Sequence, residues 1–88
     1  MQANSSQFRR DVKSAQKRGK DMNKLKRLMS LLIDGRSLPV SYLDHPLRGE
    51  WKEFRDAHIE PDWLLIYTVV GDVVRFERIG RHSDLFDE

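Results

Sequence analysis

The chain carries three histidines, His45, His58 and His82, and each has carboxylates or arginines among its neighbours. His45 stands in Asp44-His45-Pro46-Leu47, and His58 in His58-Ile59-Glu60-Pro61-Asp62-Trp63. His82 stands in Gly80-Arg81-His82-Ser83-Asp84-Leu85-Phe86. Imidazole is the side chain whose unperturbed pKa lies between pH 5 and 8, so it can give and take protons near neutrality. Cleavage of RNA through its own 2′-hydroxyl needs both acts. A base removes the 2′-OH proton, an acid protonates the departing 5′-oxygen, and positive groups hold the charge gathered at phosphorus. His45, His58 and His82 with Asp62 therefore suit acid–base work on an anionic substrate.

Around them, Arg48, Lys52, Arg55, Arg75, Arg78 and Arg81 are candidates for phosphate contact. Trp51, Trp63 and Phe86 could stack on bases. A tryptophan at a strand end is more often core, and Trp51 is expected there. Trp63 and Phe86 each neighbour a candidate site residue. Spacing alone also fits three unrelated surface histidines among solvated strand charges. A zinc or iron site built from the histidines and Asp62 is a further alternative, but no His-x-His or His-x-x-x-His spacing supports it. No metal or other cofactor is expected.

The elements that must position these residues can be read from periodicity. Ser5 or Ser6 can cap a first helix that runs to about Arg18, with Phe8, Val12 and Ala15 on one face. Gly19 ends it in the left-handed region. Asp21 caps a second helix from Met22 to about Ile33, with Met22, Leu25, Leu28, Met29, Leu32 and Ile33 as its apolar stripe. Asp34-Gly35 stops it, and the pair reads as an antiparallel helical hairpin. Residues 37–46 read as a loop around Pro39 and Pro46. Trp51 to His58 is a strand candidate with imperfect alternation. Trp63 to Val70 is nearly continuous apolar sequence, as in a strand buried on both faces. Gly71-Asp72 signals a type II′ hairpin turn into an alternating strand from Val73 to Ile79. A short turn or helix spans His82 to Phe86. The expected class is α+β, a helical hairpin on a small twisted antiparallel sheet, in one domain over 1–88.

Eighty-eight residues without cysteine leave a small core with no disulfide or thiolate metal site to supplement it. No apolar run approaches the length of a membrane span, so a soluble, cytoplasmic protein with no membrane partner is expected. The net charge of +2 hides an asymmetry. Residues 1–36 hold ten Lys/Arg against three acids, +7, and residues 37–88 hold six against eleven, −5. A positive half of this kind fits either a polyanion partner or solvated Lys-rich helix faces.

Several ordered blocks resemble one known family. They are Asp44 to Lys52, Arg55 to Tyr67 and Arg75 to Phe86, joined in the helical half by Asp11 to Arg18 and Lys20 to Lys26. At consistent spacing over roughly residues 5–86 they look like the YafQ branch of the RelE/ParE toxin superfamily. The resemblance implies a RelE-like fold and a ribosome-dependent mRNA endoribonuclease, the toxin of a type II toxin–antitoxin pair. Such a toxin cuts mRNA in the ribosomal A site and is neutralised by a small antitoxin. It also implies a metal-free transesterification to a 2′,3′-cyclic phosphate. By similarity His82 is the general acid, His58 and Asp62 position or deprotonate the 2′-OH, and His45 supports the phosphate or a proton relay. Trp63 and Phe86 shape the mRNA pocket, and the basic half, Lys17, Lys20 and Lys24 among it, meets ribosomal RNA.

The chain departs from the family in one respect. Only Met1 to Asn4 precede Ser5, so the edge strand that usually opens this fold is expected to be truncated or irregular. Two other functions stay open at this point. One is a non-catalytic RNA- or protein-binding module. The other is gyrase inhibition of the ParE kind, against which the histidine set argues because that action needs no acid–base residues.

Overall fold

The two long helices begin on capping side chains and end at glycines. In the computed structural model, which describes residues 1–86, helix α1 spans Ser6–Lys17 and α2 spans Met22–Ile33. The Ser5 hydroxyl accepts from the amide of Phe8 at 2.9 Å, and the Asp21 carboxylate accepts from the amide of Asn23 at 3.0 Å. Each bond satisfies a donor that the first turn would otherwise leave open. At the other ends Gly19 and Gly35 take φ of +76° and +69°. The chain there reverses so that Lys20 and Arg36 donate back to the carbonyls of Ala15 and Leu31.

Five strands form one sheet in the order β1-β5-β4-β3-β2. They are β1 (Gln2–Asn4), β2 (His45–Pro46), β3 (Arg55–Glu60), β4 (Trp63–Val70) and β5 (Val73–Gly80). Strand β1 runs parallel to β5, and the remaining pairs are antiparallel. A last short helix, α3, spans His82–Phe86. Gly71 takes φ of +61° while Asp72 does not become positive, as a type II′ turn requires.

The edge strand expected to be truncated or irregular is short, three residues, but regularly paired with β5. Gln, Ala and Asn have little strand preference of their own. Their conformation comes from β5, through bonds from Val74 N–H to the Met1 carbonyl and from Ser5 N–H to the Phe76 carbonyl. Ser5 then continues into α1, and its hydroxyl also donates to the Glu77 carbonyl at 2.6 Å.

The third strand starts later than the sequence suggests. Gly49, at φ +65°, opens a 3-10 turn over Gly49–Trp51, and pairing with β4 begins only at Arg55. The stretch expected to be loop holds β2, whose Pro46 lacks an N–H and is tolerated because β2 is an edge strand.

The central strand is buried on both faces. Trp63, Leu65 and Tyr67 face the helices and join Phe8, Ala15, Leu25, Leu28, Leu32, Val74 and Phe76 in the main core. Leu64 and Ile66 face the other way, with Leu85 of α3 and the flanks of Leu47, Trp51, Phe54 and Phe86. This second, smaller cluster is the floor on which the candidate site stands.

Candidate active site

Strand parity places the first residues. Side chains alternate along a strand, so Asp56 and His58 of β3 share a face. Asp56 pairs with Ile66 and His58 with Leu64, the two β4 residues that point away from the helices. His45 of β2 pairs directly with Asp56. These three polar side chains therefore stand together on the sheet face opposite the helices. A bulge then shifts the register between His58 and Glu60, leaving Glu60 opposite Trp63. The Glu60 carboxylate reaches Lys20 and Lys24 at 3.0 and 3.1 Å instead of the histidines.

His82 arrives from the far end of the chain. Leu85, buried in the small cluster, seats α3 over Leu64 and Ile66, and this brings His82 beside His58. The three imidazoles form a row that Phe86 extends. Ring centroids are separated by 6.4 Å for His45–His58, 5.9 Å for His58–His82 and 6.2 Å for His82–Phe86. His45, Leu47, Arg48, Trp51, Asp56, His82 and Phe86 line a cleft of about 260 Å³ beside the row.

Each histidine has a different set of partners. Asp62, in the turn between β3 and β4, accepts from His82 twice, from the amide at 3.0 Å and at Nδ1 at 2.8 Å. These bonds, the amide first, hold the Asp62 carboxyl below the usual carboxylate range. With Nδ1–H given to Asp62, the free edge of the His82 ring is Nε2.

His45 Nδ1 lies 2.8 Å from the Leu43 carbonyl and 3.0 Å from Asp56 Oδ1. Leu43 reaches this position with φ of +49°, a conformation uncommon for a side chain of its kind. His58 Nδ1 is buried with no hydrogen-bond partner among the described residues.

The sequence reading brings together His45, His58, Asp62, His82 and Phe86, and the structure puts them at one site. The Asp62 carboxylate bonds to His82, the neighbour of His58 in the row. Trp63 is a correction. It is 2% exposed in the helix-side core, with Lys20 Nζ 5.3 Å from its ring centroid, and has no free face for a base. Trp51 is corrected in the opposite sense. It is only half-buried, lies edge-on to Phe54 and lines the cleft.

The basic candidates divide as well. Arg48 lines the cleft, and Lys52 is exposed. Arg55 turns to the helix side, where its guanidinium donates to both oxygens of Asp44 at 3.1 and 3.0 Å. Arg78 is held by Asp11 at 3.0 Å, Arg75 by Glu77 at 2.8 Å and Arg81 by Asp84 at 3.4 Å. Lys17 is exposed, whereas Lys20 and Lys24 share Glu60.

Asp56 is the residue that sequence reasoning passed over. It is buried, 3% exposed, and lies under the histidine row. Its signal was available: a residue two before His58 on a strand shares its face. Its burial, which depends on the folded sheet, is what the sequence does not show.

Residues 2–87 match the model of the YafQ family, a bacterial toxin of a type II toxin–antitoxin system. The mRNA interferase toxin YafQ of Escherichia coli K12 is 60% identical over 83 residues, covering 93% of this chain and 90% of the relative. The solved structure of YafQ from E. coli BL21(DE3) superposes with a TM-score of 0.95 at 56% identity, covering 98% of this chain and 97% of that one. YafQ in the E. coli DinJ-YafQ complex superposes at 0.92 and 57% identity, with 98% and 97% covered.

Proposed function

This chain belongs to the YafQ family of bacterial type II toxins, and from that premise we propose that it cuts mRNA in the ribosomal A site by metal-free acid–base transesterification. Its activity is that of an mRNA interferase, an endoribonuclease. The observation that carries the mechanistic part is the His82–Asp62 pair standing next to two further imidazoles in one row.

In this reaction the 2′-oxygen attacks phosphorus, the bond to the 5′-oxygen breaks, and a 2′,3′-cyclic phosphate remains. His82 is the acid. Asp62 accepts a hydrogen bond from its Nδ1–H, which orients the ring, and Nε2–H is delivered to the departing 5′-oxygen. With Asp62 so engaged, removal of the 2′-OH proton falls to His58 and His45. Arg48 faces the charge gathering on the phosphorane from the side of the cleft. Phe86 offers a ring against the base next to the cut. Lys52 and Arg81, both exposed, meet flanking phosphates, with Arg81 leaving Asp84 to do so.

The basic half, with Lys17, Lys20 and Lys24, turns toward ribosomal RNA. A cognate antitoxin partners the chain, in keeping with an E. coli relative solved together with DinJ. Primer extension on a translated message tests the reading. Discrete cuts should appear when active ribosomes are present and disappear when they are omitted. Equal cutting of free mRNA would overturn the ribosomal part, and no cutting in either arm would overturn the nuclease reading.

A further inference from the structure

Asp56 has no role in the mechanism so far, yet its placement is unusual. A carboxylate 3% exposed is rare unless it is paired, because burial penalises the charged form. Among the described residues, oxygen Oδ1 makes no hydrogen bond. The groups around it are His45 from β2, His58 from its own strand and His82 from α3, with Arg48 on the wall of the same cleft and Asp44 on the opposite face of the sheet. Its neighbours on β4, Ile66 and Leu64, are apolar. Burial pushes the Asp56 carboxyl up, and the imidazoles, His45 foremost, draw it back. A protein that needed only a filled core would place an apolar residue here.

The contact at His45 explains what the carboxylate does there. Nδ1 faces two acceptors, the Leu43 carbonyl at 2.8 Å and Asp56 Oδ1 at 3.0 Å. A lone pair facing two oxygens would be repelled, so Nδ1 carries a proton and directs it mainly at Leu43. In the neutral ring Nε2 then holds the lone pair. That is the form a base needs.

We infer that Asp56 is a positioning residue for His45. Together with the Leu43 carbonyl it fixes the Nδ1-protonated tautomer, and its buried negative charge stabilises the imidazolium formed when Nε2 takes the 2′-OH proton. The proton moves from the 2′-oxygen to Nε2, the 2′-oxygen bonds to phosphorus, and the carboxylate stays ionised throughout. The strained Leu43 belongs to the same device, since its turned backbone aims the carbonyl at Nδ1.

The inference rests on the nuclease reading, and the wild-type protein separates the two. No cleavage by wild type defeats that reading, whereas cleavage unaffected by Asp56→Asn defeats only the inference. Asp56→Asn keeps the shape and removes the charge. Single-turnover cleavage on programmed ribosomes should slow by about ten- to a hundredfold, below the loss expected for removing a base itself. KM should be unchanged, and the acidic limb of the rate profile should move to lower pH. Thermal stability should be equal or higher, because a desolvated charge has been removed. A lower melting temperature, with the rate falling only as the folded fraction does, would make Asp56 structural and overturn the inference.

The double variant His45→Ala/Asp56→Asn should be no slower than His45→Ala alone. A full additional loss in that background would mean that Asp56 acts elsewhere. Nitrogen NMR of the wild-type imidazoles needs no variant: it should show His45 protonated at Nδ1, and an Nε2-protonated ring would overturn the inference.

Discussion

Removing the Tyr67 hydroxyl should loosen the support behind His45 without touching the cleft. Tyr67 is 3% exposed on the helix side of β4, and its hydroxyl donates to Asp44 Oδ1, the oxygen that also accepts from Arg55 Nε at 3.1 Å. Asp44 immediately precedes His45, and alternation sends the two side chains to opposite faces, so this network anchors the entry to β2 from behind. A hydrogen bond to a charged partner contributes about 1.5–3 kcal/mol. Asp44 is 24% exposed and keeps Arg55 in Tyr67→Phe, which lowers the expected loss to about 1–2 kcal/mol. For a domain of this size that is a fall of about 4–16 °C in Tm, read by circular dichroism.

The pH dependence follows from the phenol. Burial first, and the bond to Asp44 second, raise its pKa above the ordinary value of about 10. A raised folded pKa means that the contribution is fully present below the unfolded value and is lost as pH rises toward the folded one. The gap between wild type and Tyr67→Phe should therefore be constant up to about pH 10 and shrink above it. The cleavage rate should fall less than tenfold, since Arg55 still holds Asp44. A Tm within about 2 °C of wild type would refute the network's role, as would a gap that widens in alkali.

Glu60→Gln should free Lys20 and Lys24. Those lysines hold the Glu60 carboxyl below its usual range, so the wild-type advantage is present at neutral pH and disappears as pH falls through the folded value. The same change should steepen the salt dependence of ribosome binding by up to about two in the log–log slope, and an unchanged slope in co-sedimentation would remove both lysines from the RNA contact. Trp63→Phe should cost less stability than the roughly 3–5 kcal/mol of a full truncation while leaving KM unchanged, and a higher KM at unchanged stability would return Trp63 to the mRNA pocket. Phe86→Ala should raise KM in ribosome-bound cleavage, and an unchanged KM would deny it contact with the message.

Much of the fold was legible because period and punctuation agreed. Ser5, Gly19, Asp21 and Gly35 mark the helix ends, and Gly71-Asp72 marks the hairpin. Strand β1 was not legible because its conformation is imposed by pairing with β5 and not by its own residues. Strand β3 was obscured by the 3-10 turn at Gly49–Trp51. The histidines could be singled out by chemistry, but their convergence depends on Leu85 docking α3, a tertiary contact that no local pattern encodes. Arg55, Lys20 and Lys24 looked free because a sequence shows charge without its partner. Asp56 looked ordinary because burial is a property of the folded sheet.

The central claim is that His82, oriented by Asp62, gives its proton to the departing 5′-oxygen. The most direct test compares wild type and His82→Ala in single-turnover cleavage of ribosome-bound mRNA, using either a normal linkage or one with sulfur in place of the bridging 5′-oxygen. Thiolate leaves without needing a proton. His82→Ala, with its fold intact, should lose about 10²- to 10⁴-fold on the oxygen substrate and recover most of that loss on the sulfur substrate. An equal defect on both substrates, or no defect on the first, would contradict the assignment.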